Sequence, residues 1–450
     1  MFKIIKIKFN MKKIKMLSES CAIVDKTSNN GVFVNVDINV NSVKNPLSLY
    51  FHIPFCKSLC FYCACAKIIT HKQERSVPYL ERLNMEIAKQ AALFNRDREV
   101  TQLHFGGGTP TFLTDYQFSG LLAAINSNFN LAPPERREFS IEIDPRAVRD
   151  TTIPLLRELG FDRISLGVQD FDPKVQKAVN RIQSIEQTFA VLDAARSLGF
   201  QSTNLDLIYG LPFQTVETFS RTLDIILAKR PERLAVYSYA HIPAKVKSQS
   251  LIHSENLPSA REKLAILEMT VGRLCSEGYI YLGMDHFALK TDSMHKAMDK
   301  KTLHRNFMGY TASKTQLMVG LGMSSISDSW YAFAQNAKTV DEYTTLVNAG
   351  KIPIFRGHEL TTEDLIIRKH ILNIMCHFET SWTDTEMQFA ELPDCLERLK
   401  EMEQDGLVTI TANGLSLPEH ARPFVRNICM AFDLQLIRNK PTTRIFSMTI

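Results

Sequence analysis

Four of the nine cysteines in this chain, Cys56, Cys60, Cys63 and Cys65, fall within ten residues. Thiols crowded onto one short loop point to metal chemistry in a reducing compartment rather than to disulfides. In Cys56-Lys-Ser-Leu-Cys60-Phe-Tyr-Cys63, three thiolates can hold three irons of a cubane and leave the fourth open to a chelating ligand. A catalytic zinc site leaves one position to substrate by the same logic. A zinc knuckle is the alternative, but it uses paired Cys-x-x-Cys motifs and no second pair follows here. The scattered Cys21, Cys275, Cys376, Cys395 and Cys429 show no ligand spacing and are expected to be ordinary buried thiols.

The elements that must position this loop are legible around it. From about Leu49 to Pro243, short β-branched or aromatic runs alternate with longer segments of helical period, the pattern of βα units and a parallel sheet. Strands are predicted from Leu49 to Ile53, Thr101 to Phe105, Phe139 to Ile143, Arg163 to Val168, Thr203 to Ile208 and Leu234 to Tyr239. Helices are predicted from Pro78 to Phe94, Tyr116 to Phe129, Ile185 to Leu198 and Val216 to Leu227, with Gly199 placed to stop the third. The fold class is α/β, a partial (β/α)6 barrel. Each strand ends in polar or glycine-rich residues, where the chemistry of such barrels sits. Glu142, Gln169 and Asp206 are all read as strand-end residues facing one mouth.

Residues from about 250 to 350, including the segments Gly283 to Ala288 and Leu303 to Tyr310, are read as loops and helices that close the barrel mouth. After Gly357 come helices, then Leu407 to Thr411, an Asn413-Gly414 turn and Leu415-Ser-Leu, resembling a winged helix. The expected organisation is an extension over 1–45, the barrel and its additions over 46–350, and a mainly helical, winged-helix-like cap over 351–450.

The Cys-x-x-x-Cys-x-aromatic-Cys loop resembles the signature of the radical S-adenosylmethionine superfamily. Gly106-Gly-Gly-Thr-Pro110, one βα unit later, resembles its second marker, where glycine permits φ > 0 and close approach of a ligand. With its fourth cysteine, Cys56-x-x-x-Cys60-x-x-Cys63-x-Cys65 is similar to the pattern of oxygen-independent coproporphyrinogen III oxidases. Blocks in the same order match that family from Leu49 onward: Tyr50 to Cys56, Ile141 to Arg146, Gly167 to Phe171, Asn204 to Pro212, Met284 to Ala288, His304 to Phe307 and Arg426 to Met430. Departures are small. Ala64 stands where Gly is common, Phe105 where Trp is common, and Phe61-Tyr62 in altered order, although Tyr62 can still stack on an adenine.

The resemblance implies that Cys56, Cys60 and Cys63 bind a [4Fe-4S] cluster. It implies that Tyr50, Gly107, Glu142 and Ile326 contact the S-adenosylmethionine chelated to the cluster. Tyr62, Gly108, Thr109, Gln169, Arg181, Asp206 and Ala240 match contacts to a second S-adenosylmethionine. Cys65, Tyr50 and Glu142 are the candidate catalytic residues. The implied reaction converts two propionates of coproporphyrinogen III to the vinyl groups of protoporphyrinogen IX, drawing on a low-potential electron donor and an electron acceptor. Taken alone, Glu142 serves a ligand or a structural ion pair equally well, and Arg181 reads as a solvated helix end. His304 and Arg305 are candidates to meet propionate carboxylates.

Composition sets bounds on all of this. Apolar residues at 45% and charged residues at 22% describe an ordinary folded protein, and +5 from 53 basic and 48 acidic side chains gives no general case for nucleic acid. No apolar run approaches the roughly 20 residues of a membrane span. The lysine-interrupted stretch from Met1 to Met16 lacks the apolar core of an export signal, leaving a frayed extension with Met11 or Met16 as other possible starts. A monomer in the cytoplasm is expected. Two other functions compete. A haem-trafficking relative would lack the fourth cysteine and the long C-terminal block. A metal-sensing DNA regulator would not carry eight acids against Arg398 and Lys400 between Asp384 and Asp405.

Overall fold

The structure, a computed structural model, describes residues 45–439 together with a short antiparallel pair at Val24–Asp25 and Val34–Asn35. The expectations for the N-terminal extension, its start sites and Cys21 otherwise lie outside the described residues. Six parallel strands lie side by side in chain order: β1 (Leu47–Ile53), β2 (Glu99–Gly107), β3 (Glu138–Ile143), β4 (Arg163–Gln169), β5 (Ser202–Tyr209) and β6 (Arg233–Ser238). All six were predicted.

Their two faces differ, as alternation in a strand requires. On β3, Phe139, Ile141 and Ile143 are buried and alternate with Glu138, Ser140 and Glu142. On β4, Ile164, Leu166 and Val168 alternate with Arg163, Ser165, Gly167 and Gln169. The apolar face packs under the helices in one large core, and the polar face lines the inside of the barrel. A parallel sheet covered on both faces by apolar layers would read as unbroken hydrophobic runs, so this alternation marks an interior kept for polar contents.

The covering helices are α1 (Ser76–Ala91), α2 (Asp115–Asn128), α3 (Thr152–Glu158), α4 (Pro173–Ala178), α5 (Ile185–Ser197), α6 (Val216–Leu227) and α7 (Ala260–Ser276). Thr114 with Gln117 and Thr215 with Thr218 close capping boxes at α2 and α6, and Ser184 caps α5. After α5, Gly199 takes φ +76°, the left-handed stop expected of it. The short α3 and α4 were not predicted, because six or seven residues hold too little periodicity to read.

Residues 250–350 do more than close a mouth. The antiparallel hairpin of β7 (Tyr279–Gly283) and β8 (His286–Leu289) joins the free edge of β6. At the other edge β9 (Leu317–Leu321) runs parallel to β1, followed by antiparallel β10 (Ile326–Asp328), β11 (Ala332–Asn336) and β12 (Ile354–Glu359). Both edges of the partial barrel are thereby covered, which an exposed strand edge favours. The segment read as a loop from Leu303 to Tyr310 is also a hairpin, His304–Asn306 with Gly309–Thr311. Thr311 Oγ1 meets Gln102 Nε2 in the first half of β2 and lies 3.4 Å from Glu138 Oε2 at the start of β3. This hairpin closes the N-terminal end of the barrel, opposite the mouth.

Beyond β12, α8 (Thr362–His377) leads into a three-stranded sheet of Glu379–Ser381, Thr409–Thr411 and Gly414–Ser416, the hairpin turning at Asn413 as the sequence implied. A second core gathers Ile371, Ile374, Cys395, Val408 and Phe432 with Leu282, Leu303 and Tyr310, so the C-terminal unit packs directly on the added hairpins. Cys376, Cys395 and Cys429 are buried thiols, but Cys275, near the end of α7, is exposed and departs from that expectation. No helix among the described residues is long and apolar enough to cross a membrane.

Candidate active site

β1 delivers the cysteine loop, and several elements pin it. Phe55–Cys56 pairs with Ile68–Ile69, and the amides of Gly108 and Thr109 donate to Ile53 O and Phe55 O, both at 2.8 Å. From the far side, Phe61 N donates to Val179 O (3.0 Å) and Asn180 Nδ2 to Leu59 O (2.8 Å). His52 Nε2 lies 2.8 Å from Ala66 O, and Lys67 Nζ donates to Cys63 O at 2.7 Å. Cys60 is buried, Cys56 and Cys63 are half-buried and Cys65 is exposed. Thr109 Oγ1 donates to Cys56 Sγ at 3.5 Å. A hydrogen bond from the Cys65 thiol and the nearby Lys67 ammonium, acting against burial, pull the Cys63 thiol down to about 6. Among the described residues no three His, Cys, Asp or Glu side chains converge on a single-ion position. The donor set, three thiols on one anchored loop with no imidazole among them, fits a thiolate-held cluster.

The glycine run lies against this loop because nothing larger fits. A Cβ at Gly107, whose φ is +107°, would sit 2.5 Å from the His52 ring, and one at Gly108 would sit 2.6 Å from the Pro54 carbonyl carbon. Gly106 packs on the Glu142 carboxyl, which accepts from Gly107 N at 3.1 Å and lies 3.4 Å from His104 Nε2. Burial disfavours the Glu142 carboxylate, but His104 and the Gly107 amide outweigh it and hold its pKa below the ordinary range. Tyr50 stacks on His104 with centroids 5.9 Å apart, its hydroxyl 3.3 Å from His52 Nδ1. Tyr50, Gly107 and Glu142 therefore form one cluster beside the cysteine loop. Ile326 approaches it from β10: its backbone crosses Gly320, a residue in register with Tyr50, where an added Cβ would meet Ile326 O at 2.5 Å.

A second group gathers on the other side of the loop. Arg181 Nη2 donates to Gly167 O (2.7 Å), and its Nη1 lies 3.3 Å from Asp144 Oδ2 and 3.6 Å from Cys60 Sγ. Far from being a solvated helix end, Arg181 is buried. Arg146, not singled out from sequence, pairs with Asp144 at 2.7 Å and reaches Cys60 Sγ at 3.5 Å. Gln169 ends β4 with φ +71°, a conformation costly for a side-chain-bearing residue. Asp206 does not end its strand, which runs on to Tyr209; it faces the interior beside a register shift in the β4–β5 pairing. It accepts from Ser165 Oγ (2.7 Å) and Asn204 Nδ2 (2.8 Å), and burial pushes its pKa up to about 6.

Tyr62 and Ala240 are joined by a residue that sequence reasoning missed. Gln249, buried, donates from Nε2 to Tyr62 O and Ala240 O, both at 3.0 Å, and accepts from Ile242 N at 2.6 Å. It ties the cysteine loop to the chain leaving β6. No spacing or composition signal marks it, since a lone glutamine in a 3-10 turn resembles any surface glutamine. Below the mouth, the inner strand faces enclose a cavity reaching from His104 and Glu142 through Asp206 and Tyr237 to the hairpin residues Asn306 and Tyr310. His304 and Arg305 part company, as neighbours on a strand must. Arg305 lies over the Tyr310 ring, whereas His304 is buried beside Trp330, and burial lowers its pKa to about 4. So low a pKa leaves His304 neutral and unsuited to meet a carboxylate.

Comparison with known proteins agrees with this architecture. The model of the radical SAM superfamily matches residues 50–226. The oxygen-independent coproporphyrinogen III oxidase of Pseudomonas aeruginosa is 46% identical over 400 residues, covering 87% of this chain and 86% of that protein. The enzyme of that name from Escherichia coli K12 is 42% identical over 412 residues, covering 90% and 89%. The solved structure of the Escherichia coli coproporphyrinogen III oxidase, described as a radical SAM enzyme, superposes with a TM-score of 0.84 at 41% identity, over 88% of this chain and 92% of that one. Such likeness across nearly nine-tenths of the chain is not what a shared cluster loop alone would produce, and the chain belongs to the oxygen-independent coproporphyrinogen III oxidases of the radical SAM superfamily.

Proposed function

We propose that this chain oxidatively decarboxylates two propionates of coproporphyrinogen III to the vinyl groups of protoporphyrinogen IX, using a [4Fe-4S] cluster on Cys56, Cys60 and Cys63 and two S-adenosylmethionine molecules. When bound, the cluster and its S-adenosylmethionine supply the one-electron chemistry that removes a hydrogen from a propionate Cβ. The observation that carries the reading is the double position of Glu142. It belongs to the glycine and tyrosine cluster beside the cysteine loop and also to the wall of the polar cavity.

In this reading Glu142, an acceptor held ionised, takes the ammonium or a ribose hydroxyl of the first S-adenosylmethionine, with Tyr50, Gly107 and Ile326 around it. Arg181 and Gln169 receive the second, Asp206 accepts from it, and Tyr62, Gly108, Thr109 and Ala240 complete its site. Cys65, exposed beside the last ligand, acts on the substrate side rather than on iron. The barrel with its edge strands through Glu359 carries the chemistry and the C-terminal unit from Thr362 packs on its added hairpins; the enclosed interior excludes water and holds the reacting C–H close, the protein's main lever on so reactive a species. The enzyme works as a cytoplasmic monomer with a low-potential electron donor and an electron acceptor, without nucleic acid or membrane partners.

Anaerobic reconstitution followed by iron and sulfide analysis tests the proposal. Near four of each per chain, with a change in the cluster spectrum on adding S-adenosylmethionine, is expected. Bound zinc without sulfide would refute it.

A further inference from the structure

Guanidinium groups around the barrel interior come with their counter-charges. Arg163 pairs with Glu138 at 3.2 Å, Arg233 with Asp292 at 2.8 Å, and Arg181 with Asp144 at 3.3 Å. Arg305 is the exception: among the described residues no carboxylate comes within ion-pair distance, and its Nη1 is buried without a hydrogen-bond partner. The nearby Asp285 feels its charge but is ion-paired with Arg426 at 3.6 Å. Arg305 is half-buried, and a guanidinium nitrogen shut off from water without a hydrogen bond is costly to keep.

The surroundings select the ligand. Arg305 faces Tyr310 across the short hairpin, its guanidinium 4.7 Å from the ring centroid, and its charge reaches Tyr237 and His286. Tyr237, His286, Asn306 and Tyr310 line the same cavity as Glu142 and Asp206. Asn306 Nδ2 and Arg163 Nε are further buried donors without partners on that wall. Burial, with Arg305 and Arg233 beside it, drives His286 down to about 3, so its ring is neutral and does not compete as a second cation. A guanidinium fork behind the Tyr310 ring, at the margin of a wall rich in idle donors, suits a carboxylate. Along β5 the cavity extends from Ser202 to Asp206, roughly 13 Å at a strand's rise per residue. One arm of a large substrate can therefore lie near Glu142 while another reaches this end.

We propose that Arg305 anchors a carboxylate of the substrate remote from the reacting propionate. This rests on the coproporphyrinogen reading and deepens it: the tetracarboxylate is held by a propionate that is not being converted, and that grip sets which edge of the tetrapyrrole faces the cysteine loop.

Fluorescence titration of the reconstituted, cluster-loaded protein with coproporphyrin III, the stable oxidised form of the substrate, tests the anchor, with its tetramethyl ester as the uncharged control. Arg305→Leu is expected to weaken coproporphyrin III binding about ten- to a hundredfold, the range for losing a charge-assisted hydrogen bond, with cluster content unchanged. Arg305→Lys, which keeps the charge over Tyr310, should lose less. The ester should bind wild type about ten- to a hundredfold more weakly than the free acid, a comparison that needs no variant. Equal binding of acid and ester by wild type, or undiminished acid binding by a folded Arg305→Leu, would overturn the anchor alone. A wild type that binds no coproporphyrin and converts no coproporphyrinogen would overturn the substrate reading and the anchor with it.

Discussion

Asp206→Asn should make the ligand-free protein more stable and the cofactor-binding protein worse. Burial, partly offset by Ser165 and Asn204, raises the Asp206 pKa from the ordinary 3.8 to about 6. Between those values the folded state holds a proton that the unfolded state releases, so stability falls as pH rises through that window and stays lowered above it. In full the shift is worth about 3 kcal/mol. Asp206 lines an open cavity whose water screens the charge, which leaves about 1–2 kcal/mol. The amide fits the same place: its oxygen can keep the bond from Asn204 Nδ2, and its NH2 would face Ser165 Oγ, 2.7 Å away, a hydroxyl able to accept. Denaturant unfolding of the cluster-loaded protein without S-adenosylmethionine should show Asp206→Asn ahead by about 1–2 kcal/mol at pH 8 and by about half of that near pH 5. Equilibrium dialysis should show bound S-adenosylmethionine falling from two toward one per chain. A variant less stable than wild type at pH 8, or a difference that does not shrink toward pH 5, would refute the reasoning about the buried carboxylate. Unchanged cofactor stoichiometry would refute its place in the second site.

Three further predictions concern the loop and its supports. Cys56→Ser, Cys60→Ser and Cys63→Ser should each abolish the iron–sulfur absorbance, Cys65→Ser should keep it while impairing turnover, and serine at Cys275, Cys376, Cys395 or Cys429 should leave it intact; normal cluster content in all three loop variants would contradict the ligand assignment. Gln249→Leu removes three buried hydrogen bonds at about 1 kcal/mol each, so unfolding free energy should drop by about 3 kcal/mol and cluster retention with it; an effect no larger than that of a surface glutamine would show the tie to be idle. Arg146→Leu withdraws a cationic donor from Cys60 Sγ, and a redox titration should find the cluster potential more negative by on the order of 50 mV, close to a tenfold change in the reduced-to-oxidised ratio; an unchanged or more positive potential would exclude that role.

The six parallel strands were readable because each is a β-branched or aromatic run cut short by glycine or proline, and the helices between them are long enough to show their period. The sheet edges were not. β10 has three residues and β8 four, and Gly283-Met284-Asp285 inside the β7–β8 hairpin gives the composition of a loop. What makes these segments strands is the unpaired edge waiting at β6 and β1, a tertiary cause invisible in local sequence. The site divides in the same way. Cysteine spacing and the glycine run announce themselves, and the family resemblance carried Tyr50, Glu142, Arg181 and Asp206. By contrast, Gln249 and Arg146 act through contacts with residues far away in the chain, 187 positions off for Gln249 to Tyr62 and 86 for Arg146 to Cys60. The opposite faces of His304 and Arg305 followed only once the hairpin was known.

The most direct test of the central claim is anaerobic turnover by cluster-loaded protein with coproporphyrinogen III, S-adenosylmethionine, a low-potential reductant and an electron acceptor, counting methionine and protoporphyrinogen IX together. Two S-adenosylmethionine molecules cleaved per protoporphyrinogen IX formed, and none by Cys60→Ser, is the predicted result. A full cluster that cleaves S-adenosylmethionine yet yields no vinyl product would contradict the account.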